Sequence, residues 1–250
     1  MGRPTLLYVS ILAEPGAHDM SVFETCADGP DDRGWFRARL QELRLIDNVR
    51  WQPVNAAAGE ALPDLASVDA VIVGGSLHSA NEDRPWQTAT MRWLEHYRAQ
   101  DRPLLAICGG HQMLCRMAGA EVAPLADGPW AATRPVPLTA AGRAHALFAG
   151  LPAAPRFFFG NYDHVTAAPA GSTVLAGDDD SPCLALDYGG GWLSTQFHPE
   201  LTAAIMALAW SRTAPQYIAN YVDTPFGLRL LGNLLAPLCD KAGPEAVNRS

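Results

Sequence analysis

Apolar positions in the first half of the chain fall into short continuous runs, separated by stretches with helical spacing. Thr5–Ala13 reads as one buried strand, and Asp69–Ser76 as another that ends in a glycine turn. Trp35-Phe36, Leu40, Leu43 and Leu45 recur at helical spacing, and Val49–Asn55 reads as extended. A helix is predicted from about Pro85 to Gln100, followed by an apolar strand, Pro103–Ile107, that runs into a helix through Met117. The Gly-, Pro- and Asp-rich stretch Glu14–Arg33 predicts a long surface loop. Short apolar strands alternating with helices imply an α/β protein whose mostly parallel sheet is covered on both faces.

The second half changes character. Thr133–Leu138, Arg156–Phe159, Thr173–Leu175, Cys183–Tyr188 and Gly191–Phe197 are strand candidates with no long helix between them, which predicts an antiparallel extension of the same sheet. Apolar helical stretches follow at Thr202–Trp210 and Gly227–Leu238. Nothing of linker character divides the halves, so residues 1–250 are expected to form a single domain.

Composition narrows the function classes. The chain has 250 residues, 48% of them hydrophobic, which is ample for a core, and its net charge is −8. With no basic run or stripe, neither nucleic acid nor an anionic membrane surface is an expected partner. Five scattered cysteines without a Cys-x-x-Cys pair argue against a disulfide framework or a thiolate metal site and for a reducing compartment. Leu6–Ala13 lacks the features of a leader, and no apolar run approaches the ~20 residues of a bilayer span. A cytoplasmic protein is expected.

Two short segments hold the chemistry. Cys108 ends an apolar strand and is followed by Gly109, Gly110 and a helix. A lone cysteine in such a strand is ordinarily a small buried hydrophobe. Here the glycines permit a sharp elbow, and the helix N-terminus directs free N–H groups and the positive end of its dipole at the thiol. Such settings lower thiol pKa values to ~3.5–7.5, so Cys108 is a candidate nucleophile. Ninety residues later comes Gln196-Phe-His198-Pro-Glu200, an imidazole and a carboxylate two residues apart, delivered by a β-rich run. His-Pro-Glu alone is a weak signal that any surface loop could contain. Paired with Cys108, it supplies a base and the group that orients it, as covalent acyl transfer requires. Pro199 restricts the backbone of His198. His111, on the helix that follows Cys108, is poorly placed to face the thiol and is read as a packing or hydrogen-bonding group. The glycine pair Gly74-Gly75 is in isolation only a turn. At the carboxyl edge of a parallel sheet, the N–H of Gly75 joins that of Gly109 as a candidate oxyanion hole.

Ala106-Ile-Cys108-Gly-Gly110-His-Gln112 resembles the nucleophile signature of the class I, triad-type glutamine amidotransferases, and Gln196-Phe-His198-Pro-Glu200 resembles their second signature. Gly74-Gly75-Ser76, with Ser79 and Pro85-Trp86, is similar to the oxyanion strand of free-standing members. Asn161-Tyr-Asp163-His-Val165 is similar to their His-x-Asp-x-Val segment, with Asn161 in place of the histidine. The resemblance spans roughly Val68 to Leu235. It implies a flavodoxin-like three-layer α/β/α sandwich and a glutaminase: Cys108 attacks the glutamine side-chain amide, His198 moves the protons, Glu200 orients His198, and Gln112 helps to hold the substrate. It also implies that the ammonia passes to a separate synthetase, with no cofactor or metal. Gly109 replaces a residue that is commonly bulky in the family, which predicts a roomier pocket. That room suits a γ-glutamyl hydrolase acting on larger conjugates, which uses the same thioester chemistry. A non-catalytic scaffold subunit is the remaining alternative.

Overall fold

The computed structural model describes residues 2–240. In chain order it contains β1 (Thr5–Ser10), α1 (Asp32–Glu42), β2 (Arg50–Asn55), β3 (Ala70–Val73), α2 (Pro85–Arg98), β4 (Leu104–Ile107), α3 (Gly109–Met117), β5 (Val122–Pro124), β6 (Trp130–Pro135), α4 (Ala140–Ala144), β7 (Arg156–Asn161), β8 (Asp163–Val165), β9 (Thr173–Ala176), β10 (Ala185–Asp187), β11 (Trp192–Thr195), α5 (Ala203–Trp210) and α6 (Phe226–Asp240). Short 3₁₀ turns join several of them. One of these, Met20–Phe23, interrupts the stretch expected to be loop.

A seven-stranded sheet runs in the order β2-β1-β3-β4-β11-β10-β9. The first five strands are mutually parallel, and β10 is antiparallel to both of its neighbours. Side chains of β1 alternate between faces. Leu6 and Tyr8 pack with Phe36 and Leu40 of α1 and with Leu230 and Leu231 of α6. Leu7 and Val9 pack on the opposite face with Trp86 and Leu94 of α2 and Met113 and Leu114 of α3. The same split divides Leu105 and Ile107 from Leu104 and Ala106 in β4. Both faces are covered, which is why these strands read as unbroken apolar runs. The α/β sandwich expected from the sequence is present, with the antiparallel extension at one edge.

That extension is smaller than expected. β11 pairs in parallel with β4, so the Gly191–Phe197 candidate belongs to the parallel part of the sheet. β6 and β7 form a separate two-stranded ribbon, and so do β5 and β8. The apolar faces of α5 and α6 are core: Ile205, Met206, Trp210, Leu230, Leu231 and Leu235 are all buried. No helix among the described residues is long and apolar enough to cross a membrane.

Register places the site. Val73 is level with Ala106, Ala106 with Ser194, and Ile107 with Thr195. The residues that leave β3, β4 and β11 at their carboxyl ends therefore emerge side by side: Gly74-Gly75, Cys108 and Gln196–Glu200. Parallel α/β sheets build their sites at this edge.

Candidate active site

Cys108 occupies the elbow between β4 and α3 with φ +50° and ψ −105°. Few non-glycine residues adopt a positive φ, and such strain costs of order 1–3 kcal/mol. The neighbours hold it there. The Cys108 N–H donates to the Thr195 carbonyl at 2.7 Å, and its own carbonyl accepts from Gln112 N–H at 3.0 Å. The residue is 5% exposed.

The expected partners converge on it. His198 is pinned by its backbone, whose N–H donates to the Phe158 carbonyl of β7 at 2.9 Å. Its Nδ1 lies 2.7 Å from Glu200 Oε1, and its ring and the Cys108 side chain both pack against Gly75. Burial alone disfavours charge on this ring. The Glu200 carboxylate and the Cys108 sulfur outweigh it, and the His198 pKa is raised well above its ordinary value. Sulfur, imidazole and carboxylate are thus gathered at one place, the three groups of a nucleophile–base–orienter triad.

Gly75 closes the other side. A Cβ added there would lie 2.9 Å from His198 Cε1 and 3.6 Å from Cys108 Cβ, so only glycine fits. Among the described residues, neither the Gly75 nor the Gly109 N–H has a hydrogen-bond partner. Both flank the thiol and are available to a developing oxyanion. Gly109 does not enlarge the pocket as the sequence suggested. The space its side chain would fill is taken by Ser76, whose Cβ and backbone nitrogen lie 2.6 and 2.7 Å from a Cβ added at Gly109.

Gln112, expected to hold substrate, is buried, and its Nε2 faces inward, donating to the Asp163 carbonyl at 2.7 Å and to Gln196 Oε1 at 3.0 Å. Gln196, given no role in the sequence reading, has its own Nε2 3.6 Å from the Cys108 sulfur. Its place in the Gln196–Glu200 segment was the available signal. Asn161 is buried too, donating through Nδ2 to the Asp163 carbonyl at 2.9 Å. Asp163 also accepts from Ser79 Oγ at 2.6 Å, tying the segment to the oxyanion turn. His111 is fully buried, with Nδ1 2.7 Å from Ser194 Oγ and a pKa pushed down to about 3 by burial. It faces away from the thiol chemistry, as expected.

A cavity of about 350 Å³ opens beside His198, bounded by Pro199, Thr202, Thr224, Arg39 and Leu228 among others. Cys108 is not among the residues that line it. Among the described residues no cluster of three or more His, Cys, Asp or Glu side chains is arranged to hold a metal ion.

Comparison with known proteins agrees with this geometry. The family model described as glutamine amidotransferase class-I matches residues 36–210, which include Cys108, His198 and Glu200. A GMP synthase [glutamine-hydrolyzing] of Aeropyrum pernix is 31% identical over 166 residues, covering 65% of this chain and 30% of that protein. Gamma-glutamyl peptidase 5 of Arabidopsis thaliana is 27% identical over 164 residues, 64% of this chain and 65% of that one. The chain therefore spans about a third of the GMP synthase and about two thirds of the peptidase. The crystal structure of a glutamine amidotransferase from Thermotoga maritima superposes with a TM-score of 0.75 at 19% identity, over 96% of this chain and all of the other. With a matching family model, the motifs in order and the sandwich in place, the chain belongs to the class-I glutamine amidotransferase family.

Proposed function

We propose that residues 1–250 act as one amidotransferase domain that hydrolyses the side-chain amide of glutamine at Cys108 and supplies the ammonia to a synthetase on a separate chain. His198 carries the proton given up by the thiol while the sulfur attacks the amide carbon. The tetrahedral oxyanion is met by the N–H groups of Gly75 and Gly109. The C–N bond then breaks as His198 returns the proton to the departing ammonia, leaving a γ-glutamyl thioester. Water, deprotonated by His198, attacks the thioester, the C–S bond breaks and glutamate leaves. Glu200 keeps His198 in one orientation and offsets its charge throughout.

The observation that supports this reading best is His198, bonded to Glu200 Oε1 and packed with Cys108 around the Gly75 backbone. Relatives named GMP synthase [glutamine-hydrolyzing] make a synthetase the natural recipient of the ammonia. The test is glutamate release from glutamine by the isolated chain and by the chain mixed with candidate synthetases. Absence of release in every setting overturns the proposal.

The similarity to gamma-glutamyl peptidase 5 favours a second reading, cleavage of γ-glutamyl conjugates by the same thioester route. Ser76 packs against Gly109, so this position offers no extra room for a bulky leaving group. The ratio of kcat/KM on glutamine to that on γ-glutamyl dipeptides separates the two readings. A scaffold role requires Cys108→Ala to be indistinguishable from wild type in every assay.

A further inference from the structure

Beneath the oxyanion turn lies a second buried polar group that the reaction above does not use. Asp32 is the first residue of α1, yet its side chain points inward and only 3% of the residue is exposed. Ser10 Oγ donates to its Oδ1 at 2.7 Å and the Tyr8 hydroxyl donates to its Oδ2 at 3.1 Å. Tyr8 and Ser10 are two residues apart on β1, so both side chains leave the strand on the same face. Both are also buried.

What this trio touches is the turn. A Cβ added at Gly74 would lie 2.5 Å from the Tyr8 hydroxyl and 2.8 Å from Asp32 Oδ2. The two side chains therefore close directly on the Gly74 backbone. The remaining bonds of Gly74 are also fixed: its N–H donates to the Val9 carbonyl at 3.0 Å, and its carbonyl accepts from Gly110 N–H at 3.1 Å. The next residue is Gly75, packed against His198 and Cys108. A displacement of Gly74 moves the Gly75 N–H relative to the sulfur.

We propose that Tyr8 and Asp32 are positioning residues of the amidase reaction, clamping Gly74 so that the Gly75 N–H meets the oxyanion. Charged and titratable groups face the pair from two directions: Asp31 and Arg33 at the start of α1, and Glu200 from the segment after β11. Burial, chiefly, pushes the Asp32 carboxyl up to about 7, against the hydrogen bonds from Ser10 and Tyr8 that favour its ionised form. Ionised, it accepts both hydroxyl protons and the clamp is complete. The clamp therefore weakens as the carboxyl gains a proton.

Because the oxyanion contact forms in the transition state and not on binding, a loosened clamp lowers kcat and leaves KM in place. The test rests on the glutaminase reading and uses the full chain with glutamine. Tyr8→Phe keeps the ring and removes the donor. It is expected to lower kcat about tenfold with KM within threefold. Asp32→Asn is expected to remove a rise in kcat centred near pH 7 that the wild type shows, a change that a loss of stability alone does not produce. A folded Tyr8→Phe variant with kcat within threefold of wild type overturns the proposal, as does a loss seated in KM or a pH profile that Asp32→Asn leaves unchanged. Should Tyr8→Phe fail to fold, Ser10→Ala replaces it, with a smaller fall of about threefold expected and an unchanged kcat overturning. Wild type that releases no glutamate would sink the glutaminase reading instead. The variants are then compared on γ-glutamyl-p-nitroanilide, where the same kcat criterion applies.

Discussion

The Gly110 N–H donates to the Gly74 carbonyl at 3.1 Å, joining the helix behind the nucleophile to the turn that offers the oxyanion donor. Their spacing is set by backbone packed on backbone. A Cβ at Gly110 would lie 2.9 Å from the carbonyl oxygens of both Gly74 and Val73, and one at Gly109 would meet Ser76 at 2.6 Å. Gly109→Ala is therefore expected to push the two segments apart. Overpacking of this kind costs about 1–3 kcal/mol, and glutamate release should fall more than tenfold as the two N–H groups lose their common focus. A steady-state assay beside a thermal melt checks both parts. Wild-type rates in the alanine variant would show that the contact yields without consequence.

Cys108→Ala is expected to abolish glutamate release, a loss of about 10³-fold or more, since it removes the nucleophile while leaving His198 and Glu200 in place. Wild type should take one equivalent of a glutamine-like diazoketone at Cys108, and the alanine variant none, as read by intact mass. Labelling at Cys115 or Cys183, both buried, would contradict this assignment.

Glu200→Gln removes the main group that raises the His198 pKa, because burial acts in the opposite direction. A loss of about 10²–10⁴-fold in kcat is expected, comparable to losing the orienting acid of other triads. The sign of the stability effect follows from the raised pKa. Below the ordinary imidazole value of 6.5, His198 binds its proton in both folded and unfolded chains, and the full benefit of pairing with Glu200 is present. That benefit is lost as pH rises through the folded pKa. Urea unfolding should therefore show wild type ahead of the variant at pH 6 and the gap narrowing on the alkaline side.

His111 works in the opposite sense. Burial lowers its pKa from 6.5 to about 3, so the folded chain keeps it neutral while the unfolded chain protonates it. Its contribution is intact above pH 6.5 and is lost as pH falls towards 3, amounting to roughly 4–5 kcal/mol at the acid end. His111→Gln, which can still bond Ser194, is expected to flatten the dependence of the urea midpoint between pH 6.5 and 4. An unchanged slope would mean that the ring takes up its proton without unfolding.

Much of this architecture was legible because it rests on local patterns. The runs at β1, β3 and β4 announced strands covered on both faces, and Cys108 followed by two glycines announced an elbow. Strand direction in the second half was not legible: without helices between the strands, an apolar run such as Trp192–Thr195 looks the same whether its neighbour runs with it or against it. β5 and β8 have three residues each, too few to show any period. The space beside Gly109 was misjudged because a missing side chain says nothing about what fills the gap, here Ser76 from a distant segment. Gln112 and Asn161 were placed by resemblance, whereas their bonds to the Asp163 carbonyl depend on how β7 and β8 fold back. Tyr8 and Asp32 gave no signal at all. A tyrosine in an apolar strand and an aspartate at a helix start are each unremarkable, and only folding brings them together.

The elbow at Cys108 has one more consequence. Glycine rests at a positive φ without penalty, so exchanging this cysteine for glycine should leave a chain that tolerates heat better while the amide goes uncut. Durability and reactivity pull in opposite directions at a single backbone position. The most robust version of this molecule is an inert one.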